Sequence, residues 1–357
     1  MPTAVMATGD DVELRNVALK SPLNRTLVKD EAYTEEVVET ENGSVTVAIK
    51  GDRSKPAILT YHDLGLNYIS NFQAFFNYPD MAEVVQNFCI FHVNAPGQED
   101  GAPILSEDFA YPNMDDLAEQ VNDVINHFAV VRYIGIGVGL GANVLIRHAL
   151  KYPERVDSMM VINATITQPG WIEWGYQKRN VSHMRNHGVT QAVLDYLMWH
   201  HFGPSPEERA HDLTSVYRHY FNNDIQPKNL AKLAEQYIWR LAIPIEREHN
   251  LDAKGDTKTL KVFCTEFGIC RKRILMSDPF SQIPVLNVVG AYSPFVDETV
   301  TLNGKLNPAN TNWLKIQDSA MVVEEQPGKI AEAFRLFMQG QGYCLKLRKL
   351  SVQGLMS

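Results

Sequence analysis

The chain has 357 residues, 45% of them apolar and 21% charged. That is ample material for a large core, which excludes a disulfide- or metal-stapled mini-protein and a globally disordered chain. A net charge of −9, from 33 basic and 42 acidic residues, excludes the basic face of a general nucleic-acid binder.

Residues 1–34 have no sustained apolar period and read as a mobile N-terminal arm. From residue 35, EEVVETENGSVTVAI gives two β-rich runs around Glu41-Asn42-Gly43, a hairpin signal. AILTY at 57–61, ending in His62-Asp63, has the short apolar run of a buried parallel strand. Residues 80–88 predict a helix and CIFHV at 89–93 the next strand. Apolar residues at Met114, Leu117, Val121, Val124, Ile125 and Phe128 fall at helical spacing. YIGIGV (133–138), ANVLIRHALKY (142–152) and VDSMMVIN (156–163) repeat strand, helix and strand. The alternation implies right-handed crossovers and a mostly parallel sheet with helices on both faces. It stops at Thr167, and residues 167–241 read as a helical cap insertion. An irregular segment follows at 242–283. PVLNVVG (284–290), TNWLKI (311–316) and GKIAEAFRLFMQG (328–340) restore the rhythm and complete a domain over 35–340. Residues 341–357 form a short tail carrying Lys346, Arg348 and Lys349.

No apolar run nears the roughly 18 residues that cross a bilayer. The N-terminus meets two aspartates before a signal-peptide core could form, so a cytoplasmic chain is expected. The sequons at Asn24, Asn42, Asn163 and Asn180 then read as chance matches. Cys89, Cys264, Cys270 and Cys344 make no CxxC pair, which speaks against a disulfide framework or zinc cluster.

The most informative stretch is Gly135-Ile-Gly137-Val-Gly139-Leu-Gly141-Ala142, between a strand and a helix. Gly137-x-Gly139-x-x-Ala142 fits a dinucleotide phosphate cradle, but several strands precede it and the next strand ends at Asn163 rather than an acid. Gly137-Val-Gly139-Leu-Gly141 fits better the G-x-S-x-G turn that lifts a nucleophile to the top of an α/β-hydrolase sheet, with Gly139 in the nucleophile's place. His62-Asp63 stands where that fold carries an oxyanion-hole loop, and the cap insertion stands where such folds place theirs. The acid's position falls in the string ending at Ser293, and the base's position falls at Ala320. All eleven histidines lie between His62 and His249, so the Ser, acid and His of a triad are each missing in the order that fold uses.

LTYHDLGLN (59–67), FFNYPDM (75–81), HVNAPGQEDGA (92–102), YPNMDDLAEQ (111–120), GIGVGLGANVL (135–145), INATITQPGWIEW (162–174) and AEAFRLFMQGQGY (331–343) resemble the NDRG (N-myc downstream-regulated) family over about 35–343. The resemblance implies an α/β-hydrolase fold with a degenerate site, and cytoplasmic roles in differentiation, stress response and signalling rather than hydrolysis. Two departures stand out. Residues 261–281 look like extra sequence, and the tail after Tyr343 is too short for the phosphorylated repeats of some members.

His62, Asp63, Leu140, Trp171 and Trp174 are the expected cleft lining, with Trp171 or Trp174 packed between cap and sheet. His183 and His187 share a helix face at i, i+4 but lack the glutamate of an HExxH site, so neither a metal nor a cofactor is expected. Ser351, three residues after Arg348, is a candidate phosphosite. Three tail cations give a weak attraction to anionic membranes. The first reading is a non-catalytic protein acting through protein partners of unknown identity. A small-molecule or lipid receptor using the vacated cleft is the alternative, and a divergent esterase is the second.

Overall fold

The computed structural model describes residues 27, 32–205, 209–245, 262–264, 270–272 and 279–343. The expected arm, apart from Leu27 and its last few residues, lies outside them, as do most of 242–283, the tail from residue 344 and Ser351.

An eight-stranded sheet carries the chain. Its strands are β1 (Thr34–Val38), β2 (Val45–Lys50), β3 (Ala57–Tyr61), β4 (Cys89–Val93), β5 (Tyr133–Val138), β6 (Val156–Ile162), β9 (Val285–Gly290) and β10 (Thr311–Ile316), in the order β1-β2-β4-β3-β5-β6-β9-β10. β2 pairs antiparallel with both β1 and β4, and every other pairing is parallel. β7 (Val262–Cys264) and β8 (Cys270–Lys272) form a separate antiparallel pair, within a stretch expected to be irregular.

β3, β4, β5 and β9 are buried along their whole length because helices cover both faces of the sheet. Along β4, Cys89, Phe91 and Val93 join one core while Ile90 joins the other; β3 splits the same way, Ala57, Leu59 and Tyr61 against Ile58. The first face is covered by α3 (Met114–His127) and α4 (Leu140–Lys151). The second is covered by α1 (Tyr68–Phe76), α2 (Ala82–Asn87) and α11 (Pro327–Gly340), with α9 (Val296–Lys305) and the short α10 (Val322–Glu325) completing the α/β unit. α3 starts at a capping box: Asn113 accepts from the N–H groups of Asp115 and Asp116, and Asp116 accepts from the Asn113 N–H.

The insertion folds as four helices, α5 (Trp171–His187), α6 (Gln191–Phe202), α7 (His211–Asn223) and α8 (Pro227–Ile238). They are fastened over the C-terminal ends of the strands. Asn229, fully buried, donates to the Gly97 and Pro103 carbonyls at 3.0 and 2.8 Å and accepts from the Leu105 N–H at 2.9 Å. The Ser70 hydroxyl donates to the Tyr220 hydroxyl at 3.2 Å, and Tyr217 donates to the Ser70 carbonyl. Arg147 reaches from α4 to the Leu241 carbonyl while pairing with Asp115 at 2.7 Å. Asn163, at φ +50°, clamps the strand ends: its amide donates to the Ala320 carbonyl at 2.9 Å and accepts from the Gly290 N–H at 3.2 Å.

Candidate functional site

The site is built on the turn between β5 and α4. Gly139 sits at φ +50° and ψ −111°, a region that side chains rarely tolerate. Two residues on, a Cβ at Gly141 would lie 2.1 Å from the Tyr61 carbonyl oxygen. β5 and α4 can meet β3 this closely only because the residue there has no side chain. The packing that the glycines permit is that of a nucleophile elbow, and it leaves no space for a pyrophosphate over the turn.

Asp63 fills the space above the elbow. A Cβ built on Gly139 would stand 2.2 Å from Asp63 Oδ1 and 2.3 Å from Oδ2, so the aspartate carboxylate occupies the volume into which a nucleophile's side chain would project. Oδ1 accepts from the Leu140 N–H at 2.9 Å and the Leu64 N–H at 2.7 Å. Those donors are the residue after the elbow and a residue of the loop after β3, the two sources of an α/β-hydrolase oxyanion hole. Here a carboxylate of the chain itself receives both.

Oδ2 faces the cap. His200 Nε2 lies 3.0 Å from it, and His201 Nδ1 lies 3.7 Å away. All three residues are buried, Asp63 at 3%, His200 at 2% and His201 at 4% exposure. Burial opposes the charge on Asp63, but His200, His201 and the Leu140 N–H more than offset it and hold the carboxyl down at about 2. His201 donates from Nε2 to the Leu64 carbonyl at 2.9 Å and stacks on Phe221. Burial pushes its ring down to about 4. His200 lies against Phe295 with ring centroids 4.9 Å apart, and its Nδ1 is 3.4 Å from the Tyr196 hydroxyl.

His62 has a supporting part. Its Nε2 accepts from the Ala95 N–H at 2.9 Å, which leaves Nδ1–H to donate to the Asp63 carbonyl at 2.8 Å. Asn71 accepts from the Asp63 N–H at 2.7 Å. The loop is thus held from both sides, and Asp63 has its orientation fixed. His92 lies deeper, bonded to Thr60 at 2.6 Å and ringed by Tyr33, Tyr68, Phe72 and Phe76.

Of the expected lining residues, His62, Asp63 and Leu140 come together. The tryptophans do not. Trp171 is 89% exposed, and the expectation that it lines the cleft fails because Trp171 and Ile172 point to solvent while Glu173 and Trp174 make the contacts of that turn. The helix buries Gln177, Asn180, Val181 and Met184 instead. Trp174 is half-buried between Trp171 and Trp239, with ring centroids 6.4 and 5.5 Å away. Ser293 and Ala320 are both buried and used locally: the Ser293 hydroxyl accepts from the Phe295 N–H at 3.2 Å, and the Ala320 N–H donates to Glu325 at 2.7 Å. His200 and His201 were not singled out from the sequence as site residues. Their adjacency in a histidine-rich cap is the only signal, and His200 lies 137 residues from its partner Asp63.

The strand order, the elbow and the cap define an α/β-hydrolase fold, and solved structures agree. A thermophilic esterase from Thermogutta terrifontis superposes with a TM-score of 0.63 at 15% identity, over 87% of this chain and 99% of that one. The enol-lactonase from Burkholderia xenovorans LB400 gives 0.59 at 13%, over 85% and 100%. At such identities the likeness concerns the fold alone. The sequence goes further. The model of the Ndr family matches residues 35–345. Protein NDRG3 of Xenopus laevis is 36% identical over 309 residues, 86% of this chain and 75% of that protein, and Protein NDRG2 of Bos taurus is 36% identical over 336 residues, 93% and 84%. The chain belongs to the Ndr family.

Proposed function

We propose that this protein is a non-hydrolytic α/β-hydrolase-fold member of its family that acts through protein contacts in cytoplasmic signalling, in the setting of differentiation or stress response. The observation that carries the reading is the Asp63 carboxylate. Acyl transfer needs a nucleophile, a base beside it and free donors for the oxyanion. Glycine occupies position 139, and both main-chain donors serve Asp63 Oδ1. A substrate carbonyl would have to displace a buried anion held by three polar partners.

A receptor reading is less well supported. One cavity, between the loops at 65–67 and 97–102 and the α7–α8 turn, holds about 190 Å³ and is lined by polar groups such as Gln98, Glu99, Asn223 and Asp224. That is short of the roughly 300 Å³ or more of pockets for drug-sized ligands. The surface favours contacts. Trp171, Ile172, Trp239 and Leu241 are 55–89% exposed, and the ring contacts through Trp174 join Trp171 to Trp239 in one aromatic ledge, the type of feature that marks interaction sites.

Two measurements test the proposal. A fluorophosphonate probe should leave the pure protein unlabelled and a p-nitrophenyl ester should give no acyl-enzyme burst. The double variant Trp171→Asp/Ile172→Asp should lose partners captured by the wild type from cell extract while keeping its melting temperature. Stoichiometric labelling of one serine or cysteine would overturn the non-hydrolytic part. Unchanged capture would move the contact surface elsewhere.

A further inference from the structure

We infer that Asp63, His200 and His201 form a binding site for one divalent transition-metal ion, with zinc the best chemical match, joining the cap to the loop after β3. The three ligand atoms, Asp63 Oδ2, His200 Nε2 and His201 Nδ1, lie within 4.8 Å of one another. A tetrahedral zinc bound at 2.0–2.2 Å sets its ligand atoms about 3.3 Å apart. The observed separations of 3.0 and 3.7 Å from Oδ2 bracket that edge, so small side-chain movements would bring a cation into range.

The surroundings are those of a metal site. Ligating imidazoles commonly donate their other N–H to a carbonyl or hydroxyl, and ligating carboxylates are themselves held by hydrogen bonds. His201 donates from Nε2 to the Leu64 carbonyl, so the neutral ring turns the lone pair of Nδ1 towards Asp63. His200 Nδ1 has the Tyr196 hydroxyl beside it, leaving Nε2 for the centre. Asp63 Oδ1 is fixed by two main-chain N–H groups, which leaves Oδ2 as a one-oxygen ligand. Two imidazoles and one carboxylate suit zinc and its neighbours; calcium and magnesium prefer six or more oxygens. Three protein ligands leave a fourth position for water or a small anion. His62 is not a fourth ligand, since both of its nitrogens are engaged. The inference stands apart from the signalling role proposed above, because it rests only on the placement of Asp63, His200 and His201.

The test uses the untagged full-length protein, stripped with a chelator and titrated with zinc in competition with a chromophoric chelator. We expect one equivalent bound with a dissociation constant in the micromolar range or tighter, and a melting temperature that rises with added zinc. Cobalt(II) should give the intense visible absorption of a four-coordinate centre. His200→Asn and His201→Gln should each weaken binding at least a hundredfold. His183→Ala/His187→Ala, which removes the histidine pair on α5, should leave it unchanged. Absence of binding by the folded wild type, or binding lost with His183 and His187 instead, would overturn the assignment. Should the buried variants fail to fold, X-ray absorption of the zinc-loaded wild type decides: two imidazoles and a carboxylate support it, and an all-oxygen shell refutes it.

Discussion

Replacing Gly139 by alanine tests the central geometry directly. The residue stands at φ +50°, ψ −111°, where a side chain costs about 1–3 kcal/mol in backbone strain. The new methyl carbon would also start 2.2–2.3 Å from the Asp63 carboxylate, so the aspartate must retreat. It accepts from the N–H groups of Leu64 and Leu140 and lies 3.0 Å from His200 Nε2. Losing even one such charge-assisted bond costs about 1.5–3 kcal/mol. The combined loss is about 2.5–6 kcal/mol, read as a fall in the urea midpoint at unchanged slope, followed by tryptophan fluorescence. Gly175→Ala is the control. Gly175 is an exposed residue of α5 whose Cβ would meet nothing within 4 Å, so alanine there should gain up to about 1 kcal/mol of helix propensity. A double-mutant cycle isolates the steric share: in an Asp63→Ala background, Gly139→Ala should cost at least about 1.5 kcal/mol less, the size of one such bond. If Gly139→Ala lies within about 0.5 kcal/mol of wild type, or if the two changes simply add, the carboxylate does not occupy the space described here.

Two further expectations concern pH and the cap. Burial holds the imidazoles of His92 and His148 down at about 3, whereas unfolded histidine titrates near 6.5. Between those values the unfolded chain binds more protons, so stability is complete above about pH 6.5 and falls as the pH drops towards 3. Each ring contributes up to about 1.4 kcal/mol per pH unit; with His62 and His201, which burial holds down at about 4, the four rings should remove about 4 kcal/mol between pH 6.5 and 5.5. Urea midpoints across that interval check it, and a flat profile would show that the rings are not buried neutral. Asn229→Ala should cost about 2–4 kcal/mol, since it leaves two carbonyls and one N–H without their partner. It should also speed proteolysis within α7 and α8, and cleavage at the wild-type rate would mean that the cap is anchored elsewhere.

Strand alternation and the elbow were legible in the sequence because each is written locally, as short apolar runs alternating with period-3.6 patterns and broken by glycine. α1 was not read. Tyr68, Ile69, Ser70, Asn71, Phe72, Phe75 and Phe76 are all buried, and a helix enclosed on most sides has lost the polar stripe that reveals a surface helix. Trp171 misled for the opposite reason. Large aromatics are ordinarily buried, and nothing in the sequence marks Trp171 as the side of α5 that faces solvent. The joining of Asp63 to His200 and His201 was out of reach, since it depends on how the cap docks, and docking is fixed by dispersed contacts such as Asn229 with the 97–105 loop. From the sequence Gly139 is only a missing nucleophile. What could not be read was that a neighbouring side chain had taken its place.

The Asn163 clamp bears on the life history of the chain. Asn163-Ala-Thr165 is a sequon, and its amide nitrogen is the donor that grips the Ala320 carbonyl. A second sequon, Asn180-Val-Ser182, has its asparagine on the buried face of α5 at 2% exposure. An N-linked sugar is bulky and belongs on a surface, and at Asn163 it would consume the donor as well as occupy the interior. At these two positions a given molecule can be glycosylated or correctly folded, but not both. A chain sent through a glycosylating compartment would therefore set sugar transfer in competition with the closing of its own sheet.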